Sequence, residues 1–216
     1  MLRLRQRRRR PAGEPFREAG GGDVGGDPTH TFMIIASWNI RGLTDPVKQL
    51  RVQEFMVNNK VKIMGILETK LKREPLDFMM RNSFTGWLHC NNLGEHPKGR
   101  ILILWRPGPV DVDVVCCHSQ LIHLRVTCKV TSQVFLVAYV YGLHSKVARR
   151  DLWAQLRGYT QGRVEPWIVL GDFNSVMRSE ERRGGQPVTP YQVNDLAKCC
   201  LATGLTDISS SGFFYT

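Results

Sequence analysis

The stretch Trp167-Ile168-Val169-Leu170-Gly171-Asp172-Phe173-Asn174 decides how this sequence folds. Four consecutive apolar residues read as a strand buried on both faces, because a half-exposed strand would alternate apolar with polar. The run stops at a glycine, which lets the backbone approach closely at a turn, and an acid and an amide follow within three residues. In sheets covered by helices, ligands sit in the crevice outside the carboxyl ends of the strands. Asp172 and Asn174 therefore stand where such folds place chemistry. An Asx-turn, in which Asp172 serves only the local backbone, is the plainer alternative.

The same design recurs elsewhere in the chain. Met33 to Trp38 reads as a buried strand ending at Asn39, Lys62 to Leu67 as another ending at Glu68, and Val134 to Tyr141 as one that brings a phenol to the turn at Gly142. Helices are expected from about Asp45, with Pro46 at the first helical position, and over Glu74–Arg81, Lys146–Tyr159 and about Pro190–Ala202. Between them, Trp87–Asn91, Arg100–Trp105, Val110–Cys117, Leu121–Thr127 and Val134–Tyr141 have the spacing of an antiparallel meander. The fold class that follows is α/β, with mixed sheets packed on each other and covered by helices.

If the four strand ends are neighbours, they bring together two carboxylates (Glu68, Asp172), two amides (Asn39, Asn174) and the Tyr141 phenol. That set suits phosphoester cleavage assisted by a divalent cation. Glu68 is a hard oxygen ligand for Mg²⁺, which takes few carboxylates and keeps several waters. Asp172 could accept a proton from an attacking water, and Asn174, two residues further along an extended segment, could fix that water or a phosphate oxygen. Singly, each residue has a duller reading: Asn39 as a turn residue, Glu68 as the start of a solvated loop, Tyr141 as core packing.

The 216 residues carry a formal net charge of +11. Seven arginines and four acids lie in residues 1–32, together with a glycine-rich run, so this segment is expected to be a disordered Arg/Gly-rich tail of net charge +3. The arginine cluster could serve as a nuclear localisation signal or a loose nucleic-acid tether. Residues 33–216, read as one domain, keep +8. A basic body points to a polyanionic partner such as DNA. The longest apolar run, Val134 to Tyr141, is far short of the roughly 20 residues that cross a bilayer, so no membrane association is expected. No apolar stretch follows the N-terminal arginines, so secretion is not expected and a nuclear or cytoplasmic location is. The six cysteines form no Cys-x-x-Cys pair, and four of them lie in vicinal pairs, which reads as reduced thiols rather than a disulfide framework or a zinc site.

Four segments together carry a family resemblance: Ser37-Trp38-Asn39-Ile40-Arg41-Gly42-Leu43, Ile66-Leu67-Glu68-Thr69-Lys70, Tyr141-Gly142-Leu143-His144 and Leu170-Gly171-Asp172-Phe173-Asn174. In this order they resemble the successive motifs of the endonuclease/exonuclease/phosphatase superfamily. The basic helix beginning Arg149-Arg150-Asp151-Leu152-Trp153 and the segment Glu181-Arg182-Arg183-Gly184-Gly185 are most similar to the apurinic/apyrimidinic-type endonuclease domain of plant LINE retrotransposons. The resemblance implies a four-layer α/β sandwich of two packed mixed sheets flanked by helices. It also implies a Mg²⁺-dependent DNA endonuclease, with Mn²⁺ as an alternative ion. Glu68 would be the principal metal ligand, with Asn39 beside it in the metal and phosphate network. Tyr141 would contact the scissile phosphate, Asp172 would activate or orient the water, and Asn174 would stabilise the phosphate. His144 stands where the family more often has an amide, and an imidazole there could still donate to phosphate.

The resemblance also implies a terminal Ser-Asp-His motif on further strands, whereas all six histidines here precede Asp172. The sequence is therefore expected to be an incomplete domain missing its last strands. Losing an electrostatic group of that kind costs about 10²–10³ in rate, so weak or absent nuclease activity is expected. Asp207, between an apolar helix and a following strand, reads as a turn residue. Two alternatives stay open: a phosphatase or phospholipase of the same superfamily, and a non-catalytic basic nucleic-acid-binding remnant.

Overall fold

A computed structural model describes residues 2–6, 33–96, 99–160, 162, 164–182 and 187–208. In chain order the elements are β1 (Leu2–Gln6), β2 (Ile35–Asn39), α1 (Pro46–Asn58), β3 (Ile63–Leu67), α2 (Arg73–Asn82), β4 (Leu88–Asn91), β5 (Ile101–Trp105), β6 (Val110–Cys117), β7 (Leu121–Cys128), β8 (Val134–Tyr141), α3 (Arg149–Gly158), β9 (Trp167–Asp172), α4 (Pro190–Thr203) and β10 (Leu205–Asp207). Local chemistry sets the helix ends. The Asp45 side chain accepts the Val47 amide at 2.9 Å to start α1, and a reciprocal Thr189/Gln192 capping box starts α4. Gly204, at φ 67°, stops α4 in the left-handed conformation that glycine adopts freely.

The strands form a six-stranded sheet ordered β10-β1-β9-β8-β7-β6 and a four-stranded sheet ordered β2-β3-β5-β4. The pairs β2/β3 and β8/β9 are parallel and the others antiparallel, so both sheets are mixed. This is the expected α/β sandwich, with three corrections. The meander over residues 87–141 is divided: β4 and β5 belong to one sheet, β6 to β8 to the other. The chain changes sheets through Pro107-Gly108-Pro109, where two prolines have no N–H to continue a ladder. Asp207 ends a strand rather than forming a turn. Leu2–Gln6, expected within the disordered tail, pairs antiparallel with both β9 and β10, because alternating residues can supply main-chain hydrogen bonds whatever their side chains. Residues 7–32, the rest of that expected tail, lie outside the described residues.

Three layers of apolar side chains hold the sandwich together. Ile63, Leu67, Ile103, Ile122, Val137 and Tyr139 are among those buried between the sheets. Helices α1 and α2 cover the outer face of the smaller sheet through Val52, Met56, Leu76 and Met79. Helices α3 and α4 cover the larger one through Leu152, Trp153, Leu156 and Leu196. A close contact between the sheets lies at Gly65 of β3, whose missing side chain makes room for the Tyr139 ring of β8. A Cβ there would lie 2.9 Å from Tyr139 Cγ and nearer still to Cδ1 and Cε1. All six cysteines are free thiols. Among the described residues, no helix is long and apolar enough to cross a membrane.

Gly65→Ala should therefore force the sheets apart or tilt the Tyr139 ring, costing about 1–3 kcal/mol. Urea unfolding followed by tryptophan fluorescence reads this as a lower midpoint with an unchanged slope.

Candidate active site

The parallel pairs β2/β3 and β8/β9 each deliver two adjacent strand ends, and the packing of the sheets brings the two deliveries together. Asn39 is paired with Leu67, one residue before Glu68, and Tyr141 is paired with Asp172. The link between them is a hydrogen bond from Asn39 Nδ2 to Asp172 Oδ2 at 2.7 Å. It joins residues 133 apart in sequence. Four strand ends thus meet at one rim, as the sequence reading required.

The loops behind these ends are held in conformations that cost energy. Arg41 (φ 52°), Glu68 (φ 56°), Lys70 (φ 55°) and Asn174 (φ 45°) are left-handed without being glycine, each costing on the order of 1–3 kcal/mol. The surrounding hydrogen bonds maintain them. The loops after β2 and β3 are zipped by Ile40 N–H to Leu67 O at 3.1 Å, Gly42 N–H to Glu68 O at 2.8 Å and Leu43 N–H to Thr69 O at 2.9 Å. Lys48 Nζ donates to the carbonyls of Ile40, Arg41 and Gly42 at 3.1–3.2 Å. Thr69 Oγ1, buried, donates to Gly99 O at 2.8 Å.

Glu68 stands at the mouth of this arrangement. Its carboxylate accepts Lys70 Nζ at 2.9 Å, with 16% of its side chain exposed. Burial pushes its pKa up, but the Lys70 hydrogen bond and charge, a hydrogen bond from Asn39 and the Arg100 charge together hold it below the ordinary value of 4.5. Tyr141 is buried. Burial raises its pKa first of all, and the Glu68 and Asp172 charges add to that against the opposing charge of Arg100. The phenol therefore remains a protonated donor at neutral pH. Its oxygen has no hydrogen-bond partner among the described residues.

Asp172 does two things at once. Its Oδ1 accepts the Asn174 backbone N–H at 3.0 Å, the Asx-turn that was the plain alternative, while its Oδ2 reaches Asn39. Asn174 departs from the expected extended geometry: at φ 45° the chain turns there, and its Nδ2 donates to Gly142 O at 2.6 Å. Its side chain therefore braces the loop after β8. His144 is exposed, and its carbonyl, rather than its ring, is tied down by Arg149.

Three residues of this neighbourhood were not among the expected site residues. Arg149 is buried and donates from Nη1 to Leu143 O at 2.6 Å and to His144 O at 2.8 Å. Gln120, also buried, accepts Leu143 N–H at 2.8 Å and donates to Ala148 O at 2.9 Å. Together they fix the 142–148 loop from inside. Arg100 is the third. The register pairs Leu67 with Ile101 antiparallel, so one step further places Arg100 across from Glu68. The signal was the pairing of β3 with β5, which no short motif records.

The fold is shared by proteins of known structure. Residues 36–210 match the model of the Endonuclease/Exonuclease/phosphatase family. The chain belongs to that family. Members of this endonuclease/exonuclease/phosphatase group with solved structures share its fold at low identity. The endonuclease domain of TRAS1, a telomere-specific non-LTR retrotransposon, superposes with a TM-score of 0.59 at 11% identity, over 78% of this chain and 69% of that one. The AP endonuclease LMAP from Leishmania major gives 0.56 at 13%, over 77% and 65%. A mannosyl-6-phosphatase from Bacteroides thetaiotaomicron gives 0.50 at 18%, over 67% and 66%. The chain thus spans just under two thirds of the length of the last two.

As for a metal, no group of three or more His, Cys, Asp or Glu that could hold one occurs among the described residues. What the site's side chains offer is an oxygen-only set, with the Glu68 carboxylate and the Asn39 amide on adjacent strand ends. That fits a hard divalent ion that keeps most of its waters. Lys70 now supplies the cation beside Glu68.

Replacing Lys70 should expose that balance. In Lys70→Met, burial acts on Glu68 with less opposition, and its carboxyl titration, followed by NMR, should move upward from its present position below 4.5. The sign for stability follows. A carboxyl with a lowered folded pKa contributes stability that is present above its unfolded value and lost as pH falls through the folded one. The wild type should therefore lose this contribution only at acid pH below 4.5, and Lys70→Met should lose it at higher pH.

Proposed function

We propose that this chain is a metal-dependent phosphodiester hydrolase of the DNA endonuclease kind, closest in type to the endonuclease domains of plant LINE retrotransposons. The observation that carries the reading is the 2.7 Å bond between Asn39 and Asp172, which puts the carboxylates of the two sheets, Glu68 and Asp172, into one site. The +8 carried by residues 33–216 supports a polyanionic substrate. In this reading Glu68 and Asn39 hold Mg²⁺, or Mn²⁺ in its place, and the bound ion supplies Lewis acidity and neutralises phosphate charge. Asp172, oriented by Asn39, takes the proton of the attacking water. Tyr141 donates its O–H to a phosphate oxygen. Asn39, Asn174 and His144 complete the phosphate contacts, with Asn174 also acting through its hold on Gly142.

One observation favours a second reading. Glu68 is engaged by Lys70 and the Asn174 amide by a main-chain carbonyl, an arrangement that a non-catalytic nucleic-acid-binding protein would tolerate. Supercoiled-plasmid nicking separates the two. The expected result is nicking with Mg²⁺ that is lost in EDTA and in Glu68→Ala, and falls by about 10²–10⁴ in Asp172→Ala. Salt-dependent DNA binding with no nicking selects the binding protein. Release of phosphate from a phosphomonoester without nicking selects a phosphatase, and nicking that persists in both variants overturns the site.

A further inference from the structure

Arg100 stands in this site with a charge that the roles above do not use. Its backbone is held firmly: its N–H donates to Asn92 Oδ1 at 2.9 Å, as does that of Ile101. Asn92 is itself fully buried and donates to His118 O and Ser119 O. From that anchor the guanidinium lies over the Tyr141 ring, with Cζ 5.4 Å from its centroid, within the range of a cation–π contact.

Two donors are left over at this point. Arg100 Nε is buried with no hydrogen-bond partner among the described residues, and so is the Tyr141 hydroxyl. Glu68 reaches the Tyr141 hydroxyl, but its carboxylate pairs with Lys70 and acts on Arg100 only through its charge, so the Arg100 Nε donor stays open to a ligand. Buried polar groups in folded proteins are nearly all satisfied, so exceptions side by side mark a place where a water, an ion or a ligand binds. An anionic ligand with several acceptor oxygens would take a hydrogen bond from each donor and be drawn by the guanidinium charge, for which phosphate geometry is well matched.

We infer that Arg100 is a substrate-binding residue that grips a phosphate oxygen of the nucleic acid together with the Tyr141 hydroxyl. The aromatic ring helps to hold the guanidinium in place, so the charge is preorganised before the substrate arrives. This rests on the endonuclease reading for the identity of the ligand, but its test needs neither metal nor turnover.

The test is fluorescence anisotropy of a labelled short DNA duplex with the full chain in EDTA, across a salt series. Arg100→Gln should weaken binding about tenfold and reduce the slope of log affinity against log salt by about 1. Arg100→Lys keeps the charge without the Nε donor and should recover the slope but only part of the affinity. Inorganic phosphate should compete less well against DNA in Arg100→Gln than in the wild type. Lys60→Gln, which removes an exposed charge at the opposite end of β3, controls for bulk charge. Circular dichroism melting confirms that the variants fold. Arg100→Gln binding as wild type, an equal loss in Lys60→Gln, or no binding by the wild type overturns the inference. A wild type that never nicks DNA, yet loses binding and slope in Arg100→Gln, would sink the hydrolase reading and leave Arg100 standing.

Discussion

The contact between the bare backbone of Gly65 and the ring of Tyr139 sets how closely the two sheets can approach. Tyr139 spends its bulk in that gap, and its hydroxyl lies 3.4 Å from Ile63 O. Only at this separation can side chains from the two sheets hydrogen-bond directly at the rim. The 2.7 Å reach from Asn39 to Asp172 therefore depends on the packing of the neighbouring strands, β3 and β8, in the core. A short hydrogen bond between sheets is demanding, because any slide of one layer against the other breaks it.

Much of this could be read in the chain itself. Buried strands ending in polar residues were visible because four apolar runs stop abruptly at Asn39, Glu68, Tyr141 and Asp172. The first helix was visible because Asp45-Pro46 carries its start signal. Which strands share a sheet was not visible. Tight turns look alike whether the next strand pairs with the last or crosses to the other layer, so β5 and β6 read as neighbours. The strand Leu2–Gln6 was hidden for another reason. Its arginines argue for solvent, whereas the hydrogen bonds that place it use main-chain atoms, on which composition has no bearing.

The site was legible in its types more than in its geometry. Glu68, Asn39, Asp172 and Tyr141 come together as their positions at strand ends implied. Asn174 was placed by its spacing from Asp172 and His144 by the family resemblance, and neither shows that the backbone turns left-handed at Asn174 or that Arg149 ties down the His144 carbonyl. Arg100, Gln120 and Arg149 lay beyond reach because their meaning depends on register and on loop carbonyls rather than on neighbouring residues. The four left-handed residues around the rim share this character. Each is strained by itself and stable only because loops distant in sequence are bonded to each other.

The pairing of β1 with β10 sets Leu4 opposite Asp207 and Arg5 opposite Thr206. Almost the whole described chain forms the loop that this ladder closes. Contacts of such long sequence separation carry a large closure entropy and form late. On a ribosome, β9 must emerge and find β8 while its other edge has only β1 to accept, and β10 cannot join until the last helix has been made. The larger sheet is therefore complete only after β1 has docked on β9 and β10 on β1, which joins both ends of the described chain in one continuous ladder.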